Sequence, residues 1–78
     1  MKEKVKATLG ITLAQAKRIA EVAATSRSDI RLLYKDKGAN AKSLMGIISL
    51  AYKSGSEIVI CAEGRDAATA IGKLRDII

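Results

Sequence analysis

Seventy-eight residues provide enough chain for one compact domain with one hydrophobic core, so the expected organisation is a single unit over residues 1–78. A formal charge of +6 with no histidine excludes imidazole chemistry, and the single cysteine, Cys61, excludes an internal disulfide. The expected setting is a reducing cytoplasm. The basic balance favours acidic partners through long-range attraction without naming one.

Residues Glu3 to Leu9 read as the first strand, with Val5, Ala7 and Leu9 alternating with Lys4, Lys6 and Thr8. No long apolar stretch follows the basic start, so neither a signal peptide nor a membrane span is expected. Gly10 and Ile11 lead to a helix start. Thr12 followed by Gln15 fits a capping box, in which the hydroxyl takes an orphan amide and the glutamine reaches back. That helix extends to about Ser26, with Leu13, Ala16, Ile19, Ala20 and Ala23 as its inward stripe and Lys17, Arg18 and Glu21 in water.

Asp29 to Lys35 reads as a second strand, Asp36 to Gly38 as a turn, and Ala39 to Lys42 as a short antiparallel return. Ser43 caps a short helix that ends before Lys53, Ser54 and Gly55. Ser56 to Glu63 alternates as a fourth strand. After a turn at Gly64, Asp66 caps a last helix on which Ala67, Ala70, Ile71 and Leu74 recur at helical spacing. The order strand, helix, strand, strand, helix, strand, helix builds one sheet with its helices on one face, an α+β fold.

At this point the chain resembles the histidine-containing phosphocarrier family (HPr) of the bacterial sugar phosphotransferase system. The residues that carry the resemblance are the segment Lys42-Ser43-Leu44-Met45-Gly46-Ile47-Ile48-Ser49-Leu50, the Gly10-Ile11 pair, Tyr34 at a strand end, and Gly64 before an alanine-rich helix. The resemblance implies an open-faced β-sandwich of topology βαββαβα. Its four-stranded antiparallel sheet, ordered 1-4-2-3, is covered on one face by three helices.

The family's phosphate-carrying site is written Gly-Ile-His-Ala-Arg-Pro-Ala, and the matching stretch here is Gly10-Ile11-Thr12-Leu13-Ala14-Gln15-Ala16. Thr12 stands at the phosphohistidine position, Ala14 at the arginine and Gln15 at the proline. A relay needs a nitrogen nucleophile that holds phosphate as a labile phosphoramidate, whereas threonine forms only a stable ester. Losing the arginine removes a planar cation matched to phosphate oxygens. Thr12 with Lys17 and Arg18 remains a candidate weak anion site, against the plainer reading of a capped helix with solvated charges.

Ser43 matches the family's regulatory serine, which implies a serine kinase as a partner. Lys42, Leu44, Met45 and Ile48 match the docking patch, which implies a protein partner such as a transcriptional regulator or a phosphotransferase component. The expected function is a non-catalytic regulatory or docking module without cofactor or metal, monomeric or weakly dimeric. Strand exchange at the amino terminus, known in a regulatory relative, is compatible with the sequence but not required by it.

Two other readings stand beside it: a small basic nucleic-acid- or anion-binding protein, or a paralogue without relay activity. Tyr34 and Tyr52 are the only rings, which argues against a stacking platform for nucleic acid. The absence of histidine and the scattering of carboxylates argue against an enzyme. Cys61 on a strand reads as filler rather than reagent.

Overall fold

The computed structural model describes residues 1–78. The elements run β1 (Lys2–Lys6), α1 (Leu13–Ala24), β2 (Asp29–Tyr34), β3 (Lys37–Asn40), α2 (Leu44–Leu50), β4 (Glu57–Glu63) and α3 (Ala67–Ile77). The strands form one antiparallel sheet in the order β1-β4-β2-β3. The fold is an open-faced β-sandwich with three helices on one face of the sheet.

Strand alternation decides which face is covered. Ile30 and Leu32 of β2 and Ile58, Ile60 and Ala62 of β4 are buried against the helices. Ala16, Ile19 and Ala23 of α1, Ile47 and Leu50 of α2, and Ala70, Ile71 and Leu74 of α3 meet them. Small residues recur at the contact, so the helices pack close to the sheet. On the opposite face the register aligns Lys2, Cys61, Arg31 and Asn40 in one row and Lys4, Val59, Leu33 and Gly38 in the next. That face meets solvent, with Leu33, Val59 and Cys61 half-buried among charged neighbours.

Several boundaries differ from the sequence expectation, each for a local reason. The first strand ends at Lys6 instead of Leu9. Ala7 is still held, donating to the Ser56 carbonyl at 2.8 Å, but Thr8 turns to the chain end, where its amide and hydroxyl both donate to the Ile78 carbonyl at 2.9 Å. Leu9 therefore lies outside the sheet and is 61% exposed.

Helix α1 stops at Ala24, not Ser26, because the Thr25 hydroxyl donates to the Val22 carbonyl at 2.7 Å while Ser26 turns away to Asp66. The hairpin between β2 and β3 turns at Lys35 and Asp36, not at Asp36 to Gly38, with Tyr34 opposite Lys37. Lys35 takes the left-handed conformation (φ 55°) that a tight hairpin needs. Gly38 belongs to the strand because the Arg31 side chain lies across it: a Cβ there would sit 2.9 Å from the guanidinium nitrogen. Ala41 lies past the strand, buried, with its amide on the Ile30 carbonyl.

Two side chains expected at helix caps do other work. Asp66 makes no side-chain cap on α3. Its carboxylate instead accepts from the Ser26 hydroxyl at 3.0 Å, the Arg27 amide at 3.1 Å and the Ser28 hydroxyl. These donors, the Ser28 hydroxyl foremost, hold its carboxyl at about 2, below the ordinary 3.8. The start of β2 is thereby tied to the start of α3. The second side chain is Gln15, described with its site below.

Candidate functional site

Two helix starts carry the residues singled out in the sequence. At the first, Thr12 is extended (φ −129°, ψ 168°) and its hydroxyl accepts from the Gln15 amide at 3.1 Å. The expected capping box is half present. The Gln15 side chain does not reach back; it is buried and donates to the Ile77 carbonyl at the end of α3. That carbonyl belongs to the last turn of a helix, where acceptors lack intrahelical partners, so the glutamine amide satisfies it.

Gln15 thus takes an inward place that the periodicity gave to Leu13, and Leu13 turns out to be 57% exposed. Ala14 beside it is exposed as well. Lys17 and Arg18 are exposed on the same helix. At 100° and 1.5 Å per residue, Lys17 leaves the helix roughly 140° around and about 7.5 Å along from Thr12, and Arg18 roughly 120° around on the other side and about 9 Å along. The three residues of the candidate anion site do not share one face.

The end of α2 props the start of α1. The Ile11 amide donates to the Tyr52 carbonyl at 3.0 Å, and the Ser54 hydroxyl donates to the Thr8 carbonyl at 3.0 Å. Gly10 runs beside this support, where a Cβ would make ordinary contact at 3.5 Å with the Tyr52 carbonyl oxygen and the Ser54 amide. Tyr52 is buried and its hydroxyl has no partner, and burial pushes the phenol up from its ordinary value. Its ring meets Tyr34 edge-on at 6.3 Å. No sequence signal marked this support.

At the second start, Ser43 is exposed and its hydroxyl accepts from the Gly46 amide at 3.2 Å. Upstream, the Asn40 side-chain carbonyl accepts from the Lys42 amide at 2.8 Å and the Asn40 main-chain carbonyl from the Ser43 amide at 2.9 Å, which fixes the entry to the helix. The Lys42 ammonium donates to the Ser26 carbonyl at 3.3 Å, so the start of α2 lies beside the end of α1. The two helices run antiparallel.

Ile47 and Leu50 point into the core, Leu44 and Ile48 are half-buried against its edge, and Met45 is left 70% exposed. Ala51 closes the helix in the left-handed region (φ 53°). Gly46 leaves room for the cap: a Cβ there would sit 3.1 Å from the Ser43 oxygen and 3.4 Å from Ala39. The four residues of the candidate docking patch, Lys42, Leu44, Met45 and Ile48, are thus brought together with Ser43 on one short segment.

Elsewhere the chemistry is sparse. No group of three or more His, Cys, Asp or Glu side chains is placed to hold a metal ion. A shallow depression of about 220 Å³ on the open sheet face is lined by Asp29, Arg31, Cys61 and Glu63. No helix is long and apolar enough to cross a membrane.

A four-stranded sheet in this order, three helices on one face, and two hydroxyl-capped helix starts define an HPr-like module. Residues 2–78 match the family described as "PTS HPr component phosphorylation site". An HPr phosphocarrier from Bacillus anthracis strain Ames is 34% identical and superposes with a TM-score of 0.94, over 100% of this chain and 95% of that one. A mycoplasma histidine-containing phosphocarrier is 30% identical, with a TM-score of 0.91, over 99% and 90%. Bacillus subtilis Crh, a catabolite-repression protein whose structure is a domain-swapped dimer, is 34% identical, with a TM-score of 0.81, over 94% and 84%. The chain belongs to the HPr family of the phosphotransferase system. It is a member without any histidine, and so it cannot carry phosphohistidine.

Proposed function

We propose that this chain is a non-catalytic HPr-like regulatory module that acts by docking on a protein partner, through Lys42, Leu44, Met45 and Ile48. Phosphorylation of Ser43 is its switch. The observation that carries this reading is the contrast in exposure on α2. Ile47 and Leu50 already complete the core, so Met45 stands 70% exposed with no folding role that requires it. A thioether on a free helix face adapts to a partner surface at low cost.

Ser43 is exposed, and its hydroxyl is engaged only with the Gly46 amide. A phosphoryl group there brings a charge of about −2 and three acceptor oxygens beside Lys42. The partner class is a transcriptional regulator or a phosphotransferase component, with a serine kinase of the family acting on Ser43. The proposed organisation is one domain, monomeric or weakly dimeric.

The test has two arms. Treatment with the family's serine kinase followed by intact mass measurement is expected to add one phosphate that Ser43→Ala abolishes. Pull-down from the native cytoplasm is expected to recover a partner that a Met45→Gln/Ile48→Gln variant loses. No added phosphate together with no gain in binding for Ser43→Asp rejects the switch, and equal recovery by the polar variant rejects the docking surface. Binding to single-stranded or duplex DNA that weakens with salt supports the nucleic-acid reading instead.

A further inference from the structure

We infer that the turn between β2 and β3 and the connection from α2 to β4 together form a binding site for a small phosphate dianion, free or as a monoester. Lys35, Lys53 and the Tyr34 hydroxyl hold it. The site uses neither Thr12 nor Ser43 and does not depend on the docking reading.

Two segments of the chain supply its parts. Tyr34 ends β2 half-buried, and its ring meets the Tyr52 ring edge-on at 6.3 Å. Tyr52 follows Ala51, the residue that closes α2, so this contact sets the α2–β4 connection against the hairpin. In a continuing strand Lys35 would point to the face opposite Tyr34. Its left-handed backbone (φ 55°) breaks that alternation and returns the ammonium over the Tyr34 ring, 5.3 Å from the ring centre.

Hydrogen bonding then leaves a donor facing outward. The Ser56 oxygen accepts from the Lys53 amide at 3.0 Å, and the Ser56 amide donates to the Lys53 carbonyl at 3.0 Å, which fixes the hydroxyl in a tight turn. Its proton is free for the Tyr34 oxygen. The Ser56 hydroxyl foremost, with the Lys35 and Lys53 ammoniums, holds the Tyr34 phenol below its ordinary value. A phenol oxygen that accepts from Ser56 keeps its own proton for an acceptor from outside.

The charge balance at this corner selects the ligand. The ion pairs of the fold, Lys4 with Glu57 and Arg75 with Glu3, engage neither Lys35 nor Lys53. Lys37 stands opposite Tyr34 in the sheet and adds a third cation, and Asp36 is the one carboxylate in residues 34–37 and 52–56. Lys35, Lys37 and Lys53 are exposed, so a ligand reaches them without opening the fold. Two ammoniums and a hydroxyl donor match the double charge and several acceptor oxygens of a phosphate. A single carboxylate would leave one ammonium unmatched.

The test titrates inorganic phosphate and, separately, glycerol 3-phosphate into the isotope-labelled protein at constant ionic strength, followed by amide NMR. Shifts are expected in residues 34–37 and 52–56. Affinity should fall roughly fivefold in Lys35→Met and in Lys53→Met, the scale of one exposed charge pair. It should also fall in Tyr34→Phe and stay unchanged in Lys73→Met on α3. The tighter of the two probes names the source of the phosphate.

Phenol absorbance gives a second readout. Tyr34 titrates before the buried Tyr52, and a dianion bound beside it should move that first step to higher pH. Acetate that shifts the same amides as strongly overturns the phosphate assignment. No shift at either segment, or an affinity untouched in Lys35→Met and Lys53→Met with melting temperatures intact, overturns the site.

Discussion

The two helix starts are built alike and have diverged in content. Thr12 and Ser43 each sit in extended backbone, and each hydroxyl accepts the amide three residues on, at 3.1 and 3.2 Å. Around Ser43 the segment retains a lysine, a glycine that makes room for the hydroxyl, and an exposed methionine. Around Thr12 the imidazole and guanidinium expected of a relay are replaced by a hydroxyl and a methyl group, next to an exposed leucine. A capped helix start is therefore only a scaffold. Its chemistry is set by the two or three side chains that surround the cap, and those change without disturbing the cap.

The sharpest way to break this comparison is to restore the relay. A Thr12→His/Ala14→Arg variant puts a nitrogen nucleophile and a phosphate-matched cation back at the first start. Incubated with the phosphotransferase enzymes and a phosphoryl donor, it is expected to gain one acid-labile phosphate by intact mass, where the parent chain gains none. Failure of the variant to load, with its fold intact, shows that Leu13 or Leu9 also obstructs the site.

The next largest effect concerns the ties that hold the Ser43 side of the molecule. Lys42 rests on the Ser26 carbonyl, and the Ser26 hydroxyl donates to Asp66. The Asp66 carboxyl is held at about 2, below its ordinary 3.8, because it accepts from Ser28, Arg27 and Ser26. A folded-state value below the unfolded one contributes stability that is complete above 3.8 and is lost as pH falls toward 2. The melting temperature is therefore expected to drop across that window. Asp66→Asn should flatten the acid limb and lower the melting temperature near neutral pH by more than removal of either cap, because it weakens three interactions at once.

Much of this was legible from the chain, and the misses share a cause. Alternation in 56–63 and periodicity in 67–77 fixed β4 and α3 to within a residue, because local pattern and tertiary packing agree there. Ser43 was readable as a cap for the same reason. Leu13 and Gln15 were exchanged because helical periodicity ranks leucine inside and glutamine outside. What decides the exchange is an orphan carbonyl at Ile77, sixty-two residues away. Leu9 was misplaced because Thr8 answers to the last residue of the chain. Asp66 was read as a local cap when its partners lie about forty residues earlier. Polar groups satisfied across the fold are invisible to short-range pattern, and here they reshaped the exposed surface at the start of α1.

Removing each cap sharpens the comparison on the scale of stability. Thr12→Ala and Ser43→Ala are each expected to cost about 1 kcal/mol, read as a melting-temperature drop of about 4–8 °C. The equality is the point: if the cap geometry is common and only the surroundings differ, the two variants lose similar stability while Ser43→Ala alone abolishes phosphorylation. A several-fold larger cost at Thr12 would show that its hydroxyl has a further structural role. Ser43→Asp should keep the cap, because aspartate serves as well as serine at that position.

The smallest effect expected lies at the junction between the end of α2 and the start of α1. Tyr52 leaves α2 and holds the Ile11 amide through its carbonyl, yet its own hydroxyl is buried without a partner. A buried donor with nothing to bond forfeits its hydration, so deleting the oxygen while keeping the ring should raise stability. Tyr52→Phe is expected to stabilise the fold by up to about 1 kcal/mol in denaturant unfolding, with the edge-on contact to Tyr34 preserved. Because the support of Ile11 comes from the Tyr52 carbonyl, the variant should leave Thr12 and Leu13 where they are. If Tyr52→Phe destabilises instead, the hydroxyl has a partner in solution, and the prop beneath the first helix start depends on it.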